Sequence, residues 1–138
     1  MATLFQSLLA ELVTFDLEEE PWAWKNLAKG DYCVGSFGML HYNGKIFIFA
    51  GDEMYSNRYK DTVMRYSIAD DVWETLSSVQ LPVESKAQAI AIDEKFAWIA
   101  LNQHVVVFDM ETEQLLSDPA IPNLPNSELT QLQFVPNK

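Results

Sequence analysis

The 138 residues read as an all-β protein built from repeated antiparallel units. Three observations predict this. Short runs such as "KIFIFAG" (Lys45–Gly51) and "TVMRYSI" (Thr62–Ile68) are rich in β-branched and aromatic residues, which suit a pleated surface. Turn-forming stretches, "AKGDY", "SVQLPVES" and "SDPAIPNLPNSE", separate such runs. Two independent marks also recur with nearly the same period, the signature of a repeat architecture.

The first mark is a trio of segments: "LVTFDLEEEPW" (Leu12–Trp22), "VMRYSIADDVW" (Val63–Trp73) and "VVVFDMETEQL" (Val105–Leu115). Each carries an aromatic at its fourth position (Phe15, Tyr66, Phe108), then an acidic turn, then Trp22, Trp73 or Leu115. The aromatics follow one another at intervals of 51 and 42 residues. The second mark ends at Lys45, Lys95 and Lys138, with intervals of 50 and 43. A period of about 40–50 residues is that of a four-stranded propeller blade.

Taken in order, Leu4, Phe5, Leu8, Leu9 and Leu12 fall on one helical face with Thr3 as a cap. That spacing predicts a short N-terminal helix, with a strand as the alternative. Residues 12–27 then supply the third and fourth strands of a half blade, residues 37–81 a full blade, 87–122 a second blade, and 129–138 the first strand of a further one. Asn43-Gly44 marks a tight hairpin turn. The unbroken apolar run "IFIF" suits a strand covered on both faces. Phe15, Trp22, Tyr66, Trp73 and Phe108 are expected as core filling between blades, and Gly51 as a small residue that avoids crowding where strands converge.

At this point the residues resemble the kelch repeat. That family's blade has a hydrophobic strand ending in two glycines, a variable loop, a Tyr and then a Trp. "IFIFAG", Tyr66 and Trp73 match, with Ala50 in place of the first glycine. The next unit, "FAWIALN…VVVFDMETEQL", keeps the pattern but has Ala100-Leu101 for the glycines and Leu115 for the Trp. The resemblance implies four-stranded blades packed radially around a channel. It also implies rings of about six or seven blades, more than this chain holds. The bare flanks and edges of partial blades would pair with other chains. The expectation is a homo-oligomer or a hetero-complex that completes the partial blades.

Composition narrows the function. The net charge of −11 argues against binding nucleic acid or an anionic membrane. No apolar run approaches the roughly 20 residues of a membrane span, and "MATLFQSLLAELVTF" lacks the basic region of a signal peptide. The single Cys33 rules out an intrachain disulfide, and a soluble, cytoplasmic protein is expected. One Cys and two His leave no zinc signature. Asp52, Glu53 and Asp61 match no calcium-loop spacing. His41 and His104 fall on different blades, and no Gly-rich phosphate loop exists. Carboxylate pairs such as Asp70-Asp71 lie on open turns, whereas acid–base work needs a desolvated carboxyl. Trp22 and Trp24 point to opposite sides if in a strand, which leaves Trp24 as the one able to stack on a sugar. No catalytic residue, metal or cofactor is expected.

Blade topology sorts the loops. Loops between second and third strands share one face with the inter-blade connections. That face carries "GDEMYSNRYKD" (Gly51–Asp61), with Tyr55, Asn57, Arg58, Tyr59 and Lys60, together with Lys86 and His104. These are residue types enriched in interface hot spots or able to complement charge. The opposite face carries the acidic turns "DLEEEP", "IADDV" and "METEQ". The first expectation is a non-enzymatic module binding a protein through the loop face; by the resemblance, roles include recruiting a ubiquitin-ligase substrate or binding actin. The alternatives are a structural subunit using its blade edges, and a carbohydrate-binding or enzymatic propeller.

Overall fold

The structure is a computed structural model. It describes residues 2–6, 11–15, 18, 20–21, 23–26, 34–35, 37–53, 58–116, 133 and 135–136. None of the described residues is helical. The N-terminal segment expected as a short helix is a strand. β1 (Ala2–Gln6) is a strand, paired antiparallel with β2 (Glu11–Phe15) in a register that sets Leu4 opposite Val13 and Phe5 opposite Leu12. β3 (Lys25–Asn26) extends this sheet in the order β1-β2-β3. A helix this short is marginal by itself, whereas a strand beside β2 satisfies its backbone from the neighbour.

After β4 (Val34–Gly35) comes the first complete blade: β5 (Gly38–Tyr42), β6 (Lys45–Phe49), β9 (Val63–Ser67) and β10 (Val72–Thr75), hydrogen-bonded in the order β10-β9-β6-β5. β11 (Ala87–Ile92), β12 (Phe96–Leu101), β13 (His104–Asp109) and β14 (Gln114–Leu115) form the second. The two-residue turn joining β5 to β6 holds Asn43 at φ 46° and Gly44 at φ 74°. Two consecutive left-handed residues match the twist of a hairpin, and Asn-Gly is the pair that adopts them most readily.

The blades meet face to face. Phe47 and Phe49 of β6 project toward Phe108 of β13, edge-on, with ring centroids 5.6 and 5.4 Å away. Ile99, Leu101, Ala97, Val63, Leu81 and Met110 close this cluster. On the other face of the first blade Ile46, Ile48, Met64 and Tyr66 form a second buried cluster, flanked by Phe37, Ile68 and Trp73. β6 is thus covered on both faces, as its unbroken apolar run requires. The innermost strands β5 and β11 approach closely: a Cβ built on Gly38 would lie 2.8 Å from Cβ of Ala89.

Tyr66 and Phe108 are 1% and 0% exposed. Trp73 is half-buried on the outermost strand β10, its ring 5.2 Å from that of Tyr66. It caps the rim of the cluster and does not sit deep between blades. Phe15 is the last residue of β2, and Trp22 lies outside the described residues. The terminal strand expected over 129–138 also falls outside them, apart from the exposed Gln133, Val135 and Pro136.

Tyr66 hydroxyl donates to Asp71 Oδ1. Burial first, then the hydrogen bond to Asp71 and its charge, push the phenol up from its usual 10.0. A raised phenol keeps its proton in the folded state while the unfolded chain releases it. The contribution is therefore whole below the unfolded value near 10 and falls as pH rises above it. Tyr66→Phe should cost about 1 kcal/mol at neutral pH, because Asp71 loses a donor. It should also flatten the alkaline decline. Melting temperatures followed from neutral to strongly alkaline pH, variant against parent, check both; an unchanged alkaline slope would contradict the assignment.

Candidate interaction face

The end of the first blade that carries the loop between its second and third strands begins with a bulge. Phe49 pairs with Val63, and farther out Asp52 pairs with Tyr59. Two residues on one side therefore face three on the other, the geometry of a β-bulge. Ala50 (φ 57°) and Gly51 (φ 98°) take up the turn. A small residue followed by glycine is what this left-handed pair demands. The second blade has Ala100 and Leu101 at these positions, and there β12 runs straight into a tight turn before β13.

Beyond the bulge the chain is ordered into β7 (Asp52–Glu53) and β8 (Arg58–Tyr59). β4 pairs with the other edge of β7, giving a three-stranded sheet in the order β4-β7-β8. The base of this hairpin is tied to the linker leading into the second blade. Lys60 N donates to Gly51 O (2.7 Å), Gly51 N to Ser85 O (3.0 Å) and Ser85 N to Lys60 O (3.3 Å). Ser85 is buried, with its hydroxyl donating to Lys86 O at 2.7 Å. The stretch that reads as a variable loop is thus a small sheet braced by the chain segments entering and leaving the blade. Sequence reasoning missed it because its pairing partners lie in separate linkers, and two-residue strands carry no periodicity.

Of the residues expected on this face, Arg58 and Tyr59 form β8 and are exposed, Tyr59 by 38%. Lys60 sits half-buried at the hairpin base, and Lys86 is exposed just past the stitched Ser85. His104 is half-buried at the matching end of the second blade, opposite Leu101. Tyr55 and Asn57 lie outside the described residues. Gly51 is buried within the bulge.

The opposite face is acidic in sequence, and on the two complete blades the acids of its turns between third and fourth strands are engaged. Glu113, in the turn between β13 and β14, accepts from Lys45 Nζ at 3.0 Å and from Arg65 Nη1, both on the first blade. Arg65 also donates to Glu74, its cross-strand neighbour. Burial opposes the charge on Arg65, but the hydrogen bonds and attraction of Glu113 and then Glu74 outweigh it and hold the guanidinium above its usual value. Asp71 takes the Tyr66 proton donor, Asp70 the hydroxyl of Ser67, and Glu111 the ammonium of Lys95 at 3.1 Å. These turns serve the fold and the junction between blades. Among the described residues, no group of three or more His, Cys, Asp or Glu is placed to hold a metal ion, and no helix is long and apolar enough to cross a membrane.

Residues 33–80, which run from β4 through the complete first blade, match the family model of the kelch motif. The chain thus carries a kelch motif in a kelch-type propeller segment. A solved structure, that of YjhT, superposes with a TM-score of 0.74 over 88% of this chain and 48% of that one, at 12% identity. The chain therefore spans about half the length of YjhT, and the likeness is one of fold. No curated protein matches the chain. The matched kelch segment contains Ala50-Gly51, Tyr66 and Trp73 and stops short of the second blade, where the glycine pair and the Trp are replaced.

Proposed function

We propose that the chain is a non-enzymatic, cytosolic protein-binding module that docks its partner through the β4–β7–β8 sheet and the linkers beside it. The observation that supports the reading is the bracing of that sheet. A hairpin tied at its base to the outgoing linker and along its edge to the incoming one presents Arg58 and Tyr59 with little ordering entropy left to lose on binding. Tyrosine and arginine are the side chains that dominate such surfaces, and kelch repeats generally mediate protein interactions. A photo-crosslinking residue at position 59 should capture a partner, while one at position 70, on the opposite face, should not. Arg58→Ala and Tyr59→Ala should each leave the melting temperature nearly unchanged and weaken that partner's binding by about 1–4 kcal/mol. Normal binding by both, with loss on altering Asp70 and Asp71, would place the docking surface on the other face.

The same reading includes completion of the ring by blades from outside these 138 residues. The chain covers 48% of the structure it superposes on. On the side of the second blade away from the first, the cross-strand pairs Ile90–Trp98 and Ile92–Phe96 stay half-buried, the kind of apolar surface that is normally covered. Sedimentation of the 138-residue chain well above the dissociation constants of weak interfaces should show association. A monomer throughout would remove this part of the reading.

A further inference from the structure

We propose that Asp52 and Tyr59 together form a recognition site for an arginine side chain of the protein partner, which rests on the loop face being the docking surface. The starting point is an orphan. Among the described residues, Asp52 Oδ1 is buried and finds no hydrogen-bond partner. Four of the other aspartates of the two blades are satisfied: Asp61 accepts from Gln80, Asp70 from Ser67, Asp71 from Tyr66, and Asp109 from the backbone of Glu111 and Thr112. A carboxylate shielded from water without a donor is unfavourable unless something supplies one. An aspartate kept for structure would have its donor within the chain.

The surroundings say what the donor is. Asp52 is directly opposite Tyr59 in the β7–β8 ladder, so both side chains stand on the same face of the small sheet. Tyr59 is 38% exposed. On the other side Asp52 pairs with Gly35 of β4, which contributes no side chain. The carboxylate is thus flanked by an accessible aromatic ring on one side and by a position without a side chain on the other. Asp52 as a whole is half-buried, so solvent and ligand reach part of it. Rotation about Cβ–Cγ is soft and no hydrogen bond among the described residues holds Oδ1 in its buried position, so the carboxylate plane can turn to present both oxygens to an incoming donor.

A carboxylate beside an aromatic face suits a guanidinium. The planar fork donates two hydrogen bonds to the carboxylate while its face stacks on the ring. An ammonium offers a point charge and no plane. The chain's own Arg58 does not compete for the place, since alternation puts it on the opposite face of the hairpin with Glu53 as its ladder partner. The net charge of −11 favours the approach of a basic partner.

The test titrates N-acetyl-L-arginine methylamide into the isotopically labelled 138-residue chain and follows backbone amide shifts. The expected result is saturable movement at Gly35, Asp52 and Tyr59 and none at Asp70 or Asp71. The lysine analogue should bind at least about tenfold more weakly. Asp52→Asn should abolish the response and leave the melting temperature equal or higher, because the charge that leaves one oxygen buried without a donor is removed. The proposal is overturned by the absence of a saturable response, by an equal response to the lysine analogue or to calcium chloride, or by a marked loss of stability in Asp52→Asn. Crosslinking at position 59 separates the two failures. A captured partner with no response to the arginine probe ends this proposal and leaves the docking face standing; no captured partner ends both.

Discussion

Replacing Phe108 with alanine should lower the unfolding free energy by about 3–5 kcal/mol, the range for truncating a large aromatic in a close-packed core. Phe108 is 0% exposed and sits edge-on to both Phe47 and Phe49, so the change empties the centre of the cluster joining the two blades. Two edge-to-face contacts are lost along with the buried area, each worth about 0.5–1.5 kcal/mol beyond burial. Phe108→Leu, which keeps most of the volume, should cost much less. Chemical denaturation of parent and variants measures the difference. A loss under about 1 kcal/mol for the alanine variant would mean that the blades do not share this core.

Gly38→Val should cost about 3 kcal/mol, the upper end of the usual overpacking penalty. The first added carbon already meets Ala89 Cβ at 2.8 Å and Ala89 N at 3.2 Å. Neither atom is the end of a flexible side chain, so strand β11 itself must move. Substituting glycine in a strand normally reduces the entropy of the unfolded chain, a gain of about 0.4–1 kcal/mol, too small to offset the clash. Ala89→Gly in the Gly38→Val background should recover part of the loss, and a double-mutant cycle would read the coupling directly. Independent, additive effects would show that the innermost strands do not approach as closely as described.

The repeat period was legible because the blade imposes the same demands at the same positions. A buried aromatic sits where the third strand crosses the core, as at Tyr66 and Phe108, and a turn of acidic residues follows. The strand Lys45–Phe49, its Asn43-Gly44 turn and the bulge at Ala50-Gly51 were readable for the same reason: apolarity, left-handed φ values and small size are local requirements. The N-terminal segment was not. Leu4, Phe5 and Leu12 satisfy a helical spacing and a hairpin equally well, and the pairing of Phe5 with Leu12 decided between them. Trp73 was legible as an apolar contact but not in depth, since an edge strand and a central strand share one composition.

What the sequence by itself determined is the unit: an all-β chain of kelch-type blades, and the order of the strands within its two complete blades. These follow from patterns within about 45 consecutive residues, where a residue's neighbours in space are also near in sequence. Only the tertiary structure decided how the units meet and what their polar groups do. Glu113 finds Lys45 and Arg65 on the other blade, Ser85 closes the base of a hairpin that begins at Gly51, and Gly35 comes to lie beside Asp52. Each pairing joins segments separated by a turn, a linker or a whole strand. No local periodicity records such a meeting, because hydrogen bonds and ion pairs depend on where the folded backbone carries their ends, and a charged or small residue in a turn looks the same whether it is solvated, clamped or left unpaired.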